Sequence, residues 1–263
     1  MINDIDKSRQ QLVVMDNDFI QKSKYNLTAN QQKLISYIIS RIKPADIELG
    51  WFVIDISTFC NICGIDRKHF YNDFRDMIDN LDNKAIWITT EEKTFKFRWF
   101  IETEILHRSG IVRVRLNSNL EKYLLGLDRN FTQFELYNVL PLKSKYSNRL
   151  YQLFKSYAFQ RRKEIELEDL KAILCAEKYD NFKDFRKRVL EKAVEEINFY
   201  TDIVVSYDTI KKGRKVYSIL FHINPKEAFD AYIAYKNTLN QLNKQNKQIE
   251  GQIGLFDKRE EEF

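Results

Sequence analysis

The chain has 263 residues, of which 44% are hydrophobic and 31% charged, and a formal net charge of +5. This length suits one large domain or two ordinary ones, and we expect two. Uncharged apolar runs are only a few residues long, and the first residues lack the apolar stretch of a secretion signal, which argues against a membrane-spanning or exported protein. We expect a soluble, cytoplasmic protein.

The three cysteines, Cys60, Cys63 and Cys175, provide no disulfide framework. Cys60 and Cys63 form a CxxC motif, but His69 is the only further ligand nearby, and a structural zinc ion needs four. Both cysteines also lie on the apolar side of their segment, where small buried side chains are expected. We expect neither a metal site nor a cofactor.

The basic residues are unevenly distributed along the chain. Residues 1–142 hold 19 Lys and Arg and 19 Asp and Glu, residues 143–224 hold 18 and 12, and residues 225–263 hold 6 and 7. The net charge of the middle segment is therefore +6. Such an asymmetry is typical of a domain that binds a polyanion, although a solvated helix surface shows a milder form of it.

The first half of the chain is predicted to contain helices followed by paired strands. The elements are a helix over 27–42, a strand over 51–56, helices over 57–63 and 67–81, and strands over 85–90, 95–106 and 111–116. Thr28 and Gln31 are placed as a capping box for the first helix. Four alternating residues of the second ribbon strand are expected on one side, in the core or across a dimer: Phe95, Phe97, Trp99 and Ile101.

The second half repeats this order. Its elements are a helix over 147–159, a strand over 164–167, helices over 168–174 and 182–198, and strands over 202–210 and 215–223. The halves match at a constant offset of 111 residues, as in Asp73-Phe74-Arg75 against Asp184-Phe185-Arg186. The chain therefore looks like a divergent duplication.

This order of elements is that of a winged helix, in which the third helix can enter a DNA major groove and the hairpin can lie along the backbone. We predict an α+β protein of two tandem winged-helix domains related by internal duplication. We assign residues 1–130 to the first domain, 131–240 to the second and 241–263 to a flexible C-terminal tail. The joining segment 119–146 is too apolar for a free linker, so we expect it to pack.

The helix over 182–198 carries its charges in the order opposite to the one that its dipole favours. Glutamates 191, 195 and 196 lie toward its end, although a helix N-terminus prefers carboxylates. On a helical wheel, the residues expected to be buried form one stripe: Phe182, Phe185, Val189, Ala193 and Ile197. Arg186 falls inside this apolar arc, so we expect it either at the open end of the helix or in an internal ion pair. We favour DNA contact over i,i+4 pairing for the cations of the first turns: Lys183, Arg186, Lys187 and Arg188.

The turn of the second hairpin places four cations around Gly213: Lys211, Lys212, Arg214 and Lys215. Glycine permits the positive φ of a tight hairpin turn. The cations suit a clamp on DNA phosphates, which adds affinity without sequence information. Basic hairpin tips also occur as solubility features.

The corresponding helix of the first half has candidate DNA contacts at Arg67, Lys68, Asn72 and Arg75. Four aspartates, at positions 66, 73, 76 and 79, make this face nearly neutral. We expect weaker, salt-sensitive DNA binding here or a role in pairing protein with protein.

Catalytic signals are poor. No glycine precedes a Lys-Ser or Lys-Thr pair as in a P-loop, and His69, His107 and His222 are isolated from one another. We expect no enzymatic activity.

Over residues 10–225 the chain resembles the initiator proteins of theta-replicating bacterial plasmids. Three stretches carry the resemblance, in this order: LTANQQKLISYIISRI, then YSNRLYQLFKSY, then FKDFRKRVLEKAVEEINFYTDIVVSY with KKGRKVYSILFHI. This RepA/RepE-like family has two winged-helix domains. The resemblance implies a protein that binds tandem repeats (iterons) of double-stranded DNA at a plasmid origin and opens the adjacent duplex with the host initiator and replicative helicase. It also implies repression of its own promoter by a dimer formed through the first domain, a monomer–dimer equilibrium, and association with the plasmid or nucleoid in the cytoplasm.

The resemblance also implies site residues. The matching recognition helix is Phe182–Asn198 and the matching wing is Lys211–Lys215, with the cations named above. Lys192 stands where many relatives have a proline, which leaves the local path of this helix open. In the tail, Gln252, Ile253, Leu255 and Phe256 resemble the QLxLF peptide that docks on the replicative sliding clamp. The alternative function is a transcriptional repressor with no role in replication.

Overall fold

The computed structural model describes residues 4–65, 67–228 and 230–243, and the side chains of residues 67–72 lie outside that description. The first part of the chain contains α1 (Asp4–Arg9), β1 (Leu12–Asp16), α2 (Asn17–Lys22), β2 (Ser23–Lys24), α3 (Ala29–Ile39), β3 (Trp51–Asp55), α4 (Ile56–Cys63), α5 (Arg67–Asp82), β4 (Ala85–Thr89), β5 (Thr94–Arg98), β6 (Phe100–Leu106) and β7 (Ile111–Leu116). It continues with α6 (Glu121–Leu124), β8 (Phe131–Glu135), α7 (Lys145–Tyr157), β9 (Arg162–Glu166), α8 (Leu167–Ile173), α9 (Phe182–Phe185), α10 (Glu191–Tyr200), β10 (Ile203–Lys212), β11 (Lys215–Pro225) and a final helix, α11, over 230–243.

The first winged helix runs from α3 to β7. Its α3 begins at the predicted capping box, because the Thr28 hydroxyl accepts from the Gln31 N–H and the Gln31 side chain accepts from the Thr28 N–H. Strands β3, β7 and β6 form an antiparallel sheet in that order. A second sheet, in the order β2-β4-β5, lies outside this winged-helix plan.

The predicted single strand over 95–106 is divided in the structure, and this prediction was wrong. The chain passes from β5 to β6 at Trp99, so the two parts belong to different sheets. A register shift between Phe100 and Glu102 marks a β-bulge. Trp99 and Phe100 are both buried, whereas Ile101 is 49% exposed. The extra residue at the bulge inverts the faces of the strand, which is why Ile101 points outward.

The second winged helix runs from α7 to β11, with the sheet order β10-β11-β9. Strand β9 starts and ends 111 residues after β3, which agrees with the predicted duplication. Helices α4 and α8 follow these strands directly in both halves. The structure therefore confirms an α+β chain with two winged helices.

The segment that joins the halves packs, as predicted. Leu124, Phe134, Leu136 and Leu140 are all buried. Strand β8, which begins at the boundary predicted for the second domain, pairs with β1 near the start of the chain. This segment thus completes a small sheet with the N-terminal strand.

Helix α11 returns to the beginning of the chain. The buried Arg9 donates through Nη1 to the Asn243 side chain at 3.2 Å. Its Nη2 and Nε donate to the carbonyls of Asn61 and Ile62, both at 3.0 Å, at the end of α4. The predicted tail, 241–263, therefore begins too early, because residues 241–243 are helical and Leu242 is buried. The predicted clamp peptide lies outside the described residues.

No helix in the described part of the chain is both long and apolar enough to cross a membrane.

Candidate nucleic-acid interface

The predicted recognition helix of the second domain, 182–198, extends to Tyr200 in the structure and is not a regular α-helix. Between α9 and α10 lies a π-helical segment, Arg186–Leu190, in which the Glu191 N–H donates to the Arg186 carbonyl. The predicted apolar stripe is buried at Phe185, Val189, Ala193 and Ile197, with Phe182 partly buried. Leu190 is buried as well, and it lies on the apolar side because it is three residues before Ala193 and seven before Ile197. The sequence pattern did not predict this segment.

The cations of the first turns lie on the solvent side of this helix. Lys183, Lys187 and Arg188 are exposed, and no carboxylate among the described residues lies within ion-pair distance of them. Arg186 is half-exposed and its Nε lies 3.2 Å from the Glu191 carboxylate. Arg186 was expected either at the open end of the helix or in an ion pair, and the structure shows the ion pair.

Glu196, at the other end of this helix, has a partner in another element of the fold. The Glu196 carboxylate accepts from the N–H groups of Lys143 and Ser144, at 3.1 and 3.3 Å, where Ser144 caps α7. A carboxylate is favourable at a helix N-terminus, so the dipole of α7 stabilises Glu196. Two of the three glutamates therefore serve the fold, and three cations at the start of the recognition helix are left to face solvent.

The wing projects from the same domain and is fixed to the recognition helix. The Asn198 side chain donates to the Val205 carbonyl at 2.9 Å and accepts from the Val205 N–H at 2.7 Å, which ties α10 to β10. Further along β10, the pKa of Tyr207 is raised by burial and by Glu191, and Arg186 opposes the shift. This strand therefore runs beside the Arg186–Glu191 pair.

The turn of the wing has the expected glycine geometry. Gly213 has φ of 64°, and Lys212 pairs with Lys215 across the turn. The Lys212 ammonium lies 3.1 Å from the centroid of the Tyr217 ring, whose hydroxyl donates to Glu166. All four cations of this turn are exposed: Lys211, Lys212, Arg214 and Lys215. One domain thus presents two separate groups of cations.

The first domain has a smaller basic site, of which only Arg75 was predicted as a DNA contact. Arg75 on α5 lines an open concavity together with His107 and Arg108, in the turn that joins β6 to β7. This turn has the position of a wing, with Arg108 at φ 61° and Gly110 at φ 70°. The tetrapeptide HRSG between two strand patterns was the signal that could have identified it.

The other candidates on α5 cannot be placed in this site. The side chains of Arg67, Lys68 and Asn72 lie outside the described part of the chain. Asp73, Asp76 and Asp79 are exposed on the same helix, as expected for the nearly neutral face predicted from the sequence.

The CxxC motif lies in the core. Cys60 and Cys63 are buried on α4, and burial raises the pKa of the Cys63 thiol to about 12, an effect that nearby Lys33 partly offsets. No group of three or more potential metal ligands occurs among the described residues.

Comparisons with known proteins agree with this geometry. The family described as Initiator Replication protein, WH1 matches residues 12–155, and Initiator Rep protein, WH2 matches residues 166–223. A replication initiation protein of Escherichia coli is 22% identical over 239 residues, which cover 86% of this chain and 74% of the relative. The PI protein of Escherichia coli is 31% identical over 131 residues, 43% of each chain.

A solved structure shares the fold. The crystal structure of the Pi initiator protein in complex with iteron DNA superimposes with a TM-score of 0.70 at 20% sequence identity, covering 83% of this chain and 99% of that one. The first family model spans more than half of the present chain, and the second covers the following winged helix. The chain therefore belongs to the initiator replication protein family, whose members initiate plasmid replication with a WH1 and a WH2 domain.

Proposed function

We propose that this initiator binds tandem direct repeats of double-stranded DNA at a plasmid origin, mainly through its second domain. The main observation that supports the proposal is that one domain presents two groups of exposed cations. Lys183, Lys187 and Arg188 lie on the recognition helix, and the wing turn adds the cations around Gly213. The helix suits a major groove and the wing suits the phosphates beside it.

The first domain adds weaker contacts in this proposal. Arg75 and Arg108 supply the cations near its wing, and the exposed aspartates of α5 limit the attraction to phosphate. Arg67, Lys68 and Asn72 stay candidate contacts. Arg186 is held by Glu191 in the free protein, so its contact with DNA requires that pair to open or to be shared with a phosphate.

Repression of its own gene by a dimer is a further part of the proposal. The edge strand β3 presents Val53, which is 55% exposed, on the outer face of the sheet β3-β7-β6. On the same face Arg113 lies 2.8 Å from Glu104 and stacks on Trp51 at 4.8 Å. A row of cations on β7 beside a row of carboxylates on β6 can pair with the same rows of a second copy across a two-fold axis. We propose this face for the dimer, in equilibrium with monomers.

Origin opening needs no catalytic step by this chain in our proposal. Binding energy spent on bending the DNA would weaken the adjacent duplex, and the host initiator and replicative helicase would complete the opening. The protein would act in the cytoplasm, on the plasmid or nucleoid.

The C-terminal peptide is proposed to dock on the replicative sliding clamp. Gln252, Ile253, Leu255 and Phe256 would supply the side chains. A Leu255→Ala, Phe256→Ala double variant should lose binding to purified clamp in surface plasmon resonance and keep its affinity for the repeats. Unchanged clamp binding by the variant, or none by the parent, would remove this part of the proposal.

Footprinting with DNase on the DNA that flanks the gene tests the main proposal. We expect protection of tandem direct repeats beside an A·T-rich stretch, with affinity that falls as salt is raised. Protection confined to one inverted repeat over the promoter would favour a transcriptional repressor. The absence of specific protection would contradict both functions.

A further inference from the structure

The outer face of the sheet β2-β4-β5 has a composition unlike that of the rest of the first domain. The strand register places Lys24, Trp87 and Lys96 side by side across the three strands. Arg98 lies two residues along β5 on the same face, and Thr89 and Thr94 lie on the other side of Trp87. The indole is 43% exposed, and the Lys96 ammonium lies 4.6 Å from its ring centroid.

No acidic residue occurs in any of these three strands. This differs from the neighbouring sheet β3-β7-β6, where the guanidinium of Arg113 is neutralised by Glu104. The described residues form no ion pair with Lys24, Lys96 or Arg98, so the cations of the Trp87 face are available to an external anion. The nearest turn, at the threonine end, carries Glu91 and Glu92, so the attraction is confined to the row through Trp87 and beyond it toward Arg98.

A large exposed aromatic ring between cations is the combination that single-stranded nucleic acids require. An unpaired base can stack on an indole while the backbone follows the adjacent lysines and arginines. The bases of a duplex are already stacked on one another and cannot do this. We propose that the Trp87 face binds single-stranded DNA. The inference rests on the proposed function, because opening of an origin is what would supply unpaired strands.

The position of this face permits simultaneous binding of duplex. Strand β4 begins just after α5 ends, whereas the first-domain wing turn lies beside Arg75, about 10 Å back along that helix. The recognition helix and wing of the second domain share no residue with it. A copy bound to the repeats can therefore hold a separated strand of the neighbouring A·T-rich DNA.

The test uses the full-length protein and a fluorescently labelled oligothymidylate, which forms no duplex. We expect Trp87→Ala to weaken binding of this probe by about 5- to 150-fold, the range for loss of one stacked base. Trp87→Phe should recover part of the loss, since phenylalanine keeps an aromatic face. The Lys96→Ala, Arg98→Ala double variant should lower the salt slope by about 1.4, at about 0.7 for each lost phosphate contact.

Tyr232→Ala is the matched control, because Tyr232 on α11 is 51% exposed and the Lys236 ammonium lies 5.0 Å from its ring centroid, away from both sheets of the first domain. Its oligothymidylate affinity should equal that of the parent, and all variants should keep the parental affinity for duplex repeats. The inference would be overturned if the Trp87→Ala variant and the parent bound labelled oligothymidylate with equal affinity. It would also be overturned if polyglutamate displaced the labelled probe as well as unlabelled oligothymidylate does.

The same measurements separate this inference from the proposed function. If the parent protein binds duplex repeats but does not bind oligothymidylate, the proposal for the Trp87 face is refuted and the initiator proposal is not. If the parent protein binds oligothymidylate through Trp87 but shows no specific duplex binding, the initiator proposal is refuted and the proposal for the Trp87 face is not.

Discussion

Removal of Lys187 and Arg188, the two cations of the π-helical segment that have no ion pair among the described residues, gives a quantitative test of the proposed duplex interface. Lys187 and Arg188 have no carboxylate partner among the described residues, so each is free to contact one phosphate. Two lost contacts on B-DNA should reduce the slope of log affinity against log salt by about 1.8. At physiological ionic strength, about 0.15 M, that slope corresponds to a loss of roughly 30-fold in affinity.

Fluorescence anisotropy on a duplex that contains one footprinted repeat, at several salt concentrations, measures this slope. A Lys7→Ala, Lys236→Ala variant makes the same change in net charge at exposed positions on α1 and α11 and is the control. We expect the control to keep the parental slope. A parental slope in the Lys187→Ala, Arg188→Ala variant, or an equal loss in the control, would refute the placement of this helix on DNA.

Glu191→Gln should have the opposite effect to the double variant. It removes the carboxylate that holds Arg186 at 3.2 Å and also one negative charge from the helix. We expect tighter binding and a steeper salt slope because Arg186 becomes available to a phosphate. Weaker binding by Glu191→Gln would mean that the ion pair positions Arg186 for contact.

Two further predictions concern stability and are measured by urea unfolding. Arg9→Met should cost about 2–4 kcal/mol, because it removes charged donors from the end of α4 and from Asn243, whereas Lys7→Met on the same helix should change stability by less than about 0.5 kcal/mol. A loss below about 1 kcal/mol for Arg9→Met would contradict the importance of this junction. Gly213→Ala should cost about 1–2 kcal/mol because φ there is 64°. Gly50→Ala, at a glycine with ordinary φ and open space around it, should be nearly neutral, and equal effects of the two would contradict this explanation.

The candidate site could be predicted in part. The exposure of the cations on the helix over 182–200 and on the second wing could be predicted, because it follows from the apolar pattern and from a glycine turn; their contact with DNA stays a prediction. The first-domain wing at His107 and Arg108 was missed, since its role depends on the approach of α5 to a turn some thirty residues away. The grouping of the residues on the Trp87 face could not be predicted for the same reason. Its Lys24 belongs to a two-residue strand whose pairing with β4 has no local signal.

The sequence by itself determined the order of the helices in the two winged helices, their apolar stripes, the burial of the joining segment and the basic charge of the second domain. These depend on periodicity and composition within short stretches, where neighbouring side chains either share a face or do not. Only the tertiary structure decided the π-helical turn, the bulge that turns Ile101 outward, and the partner of Glu196. The bulge is seen only in the pairing of β6 with β7, and the partner of Glu196 lies 53 residues away at Lys143; such contacts leave no period in the chain. The π-helical turn is a local change of hydrogen bonding, from Glu191 to Arg186, on which the apolar pattern does not depend.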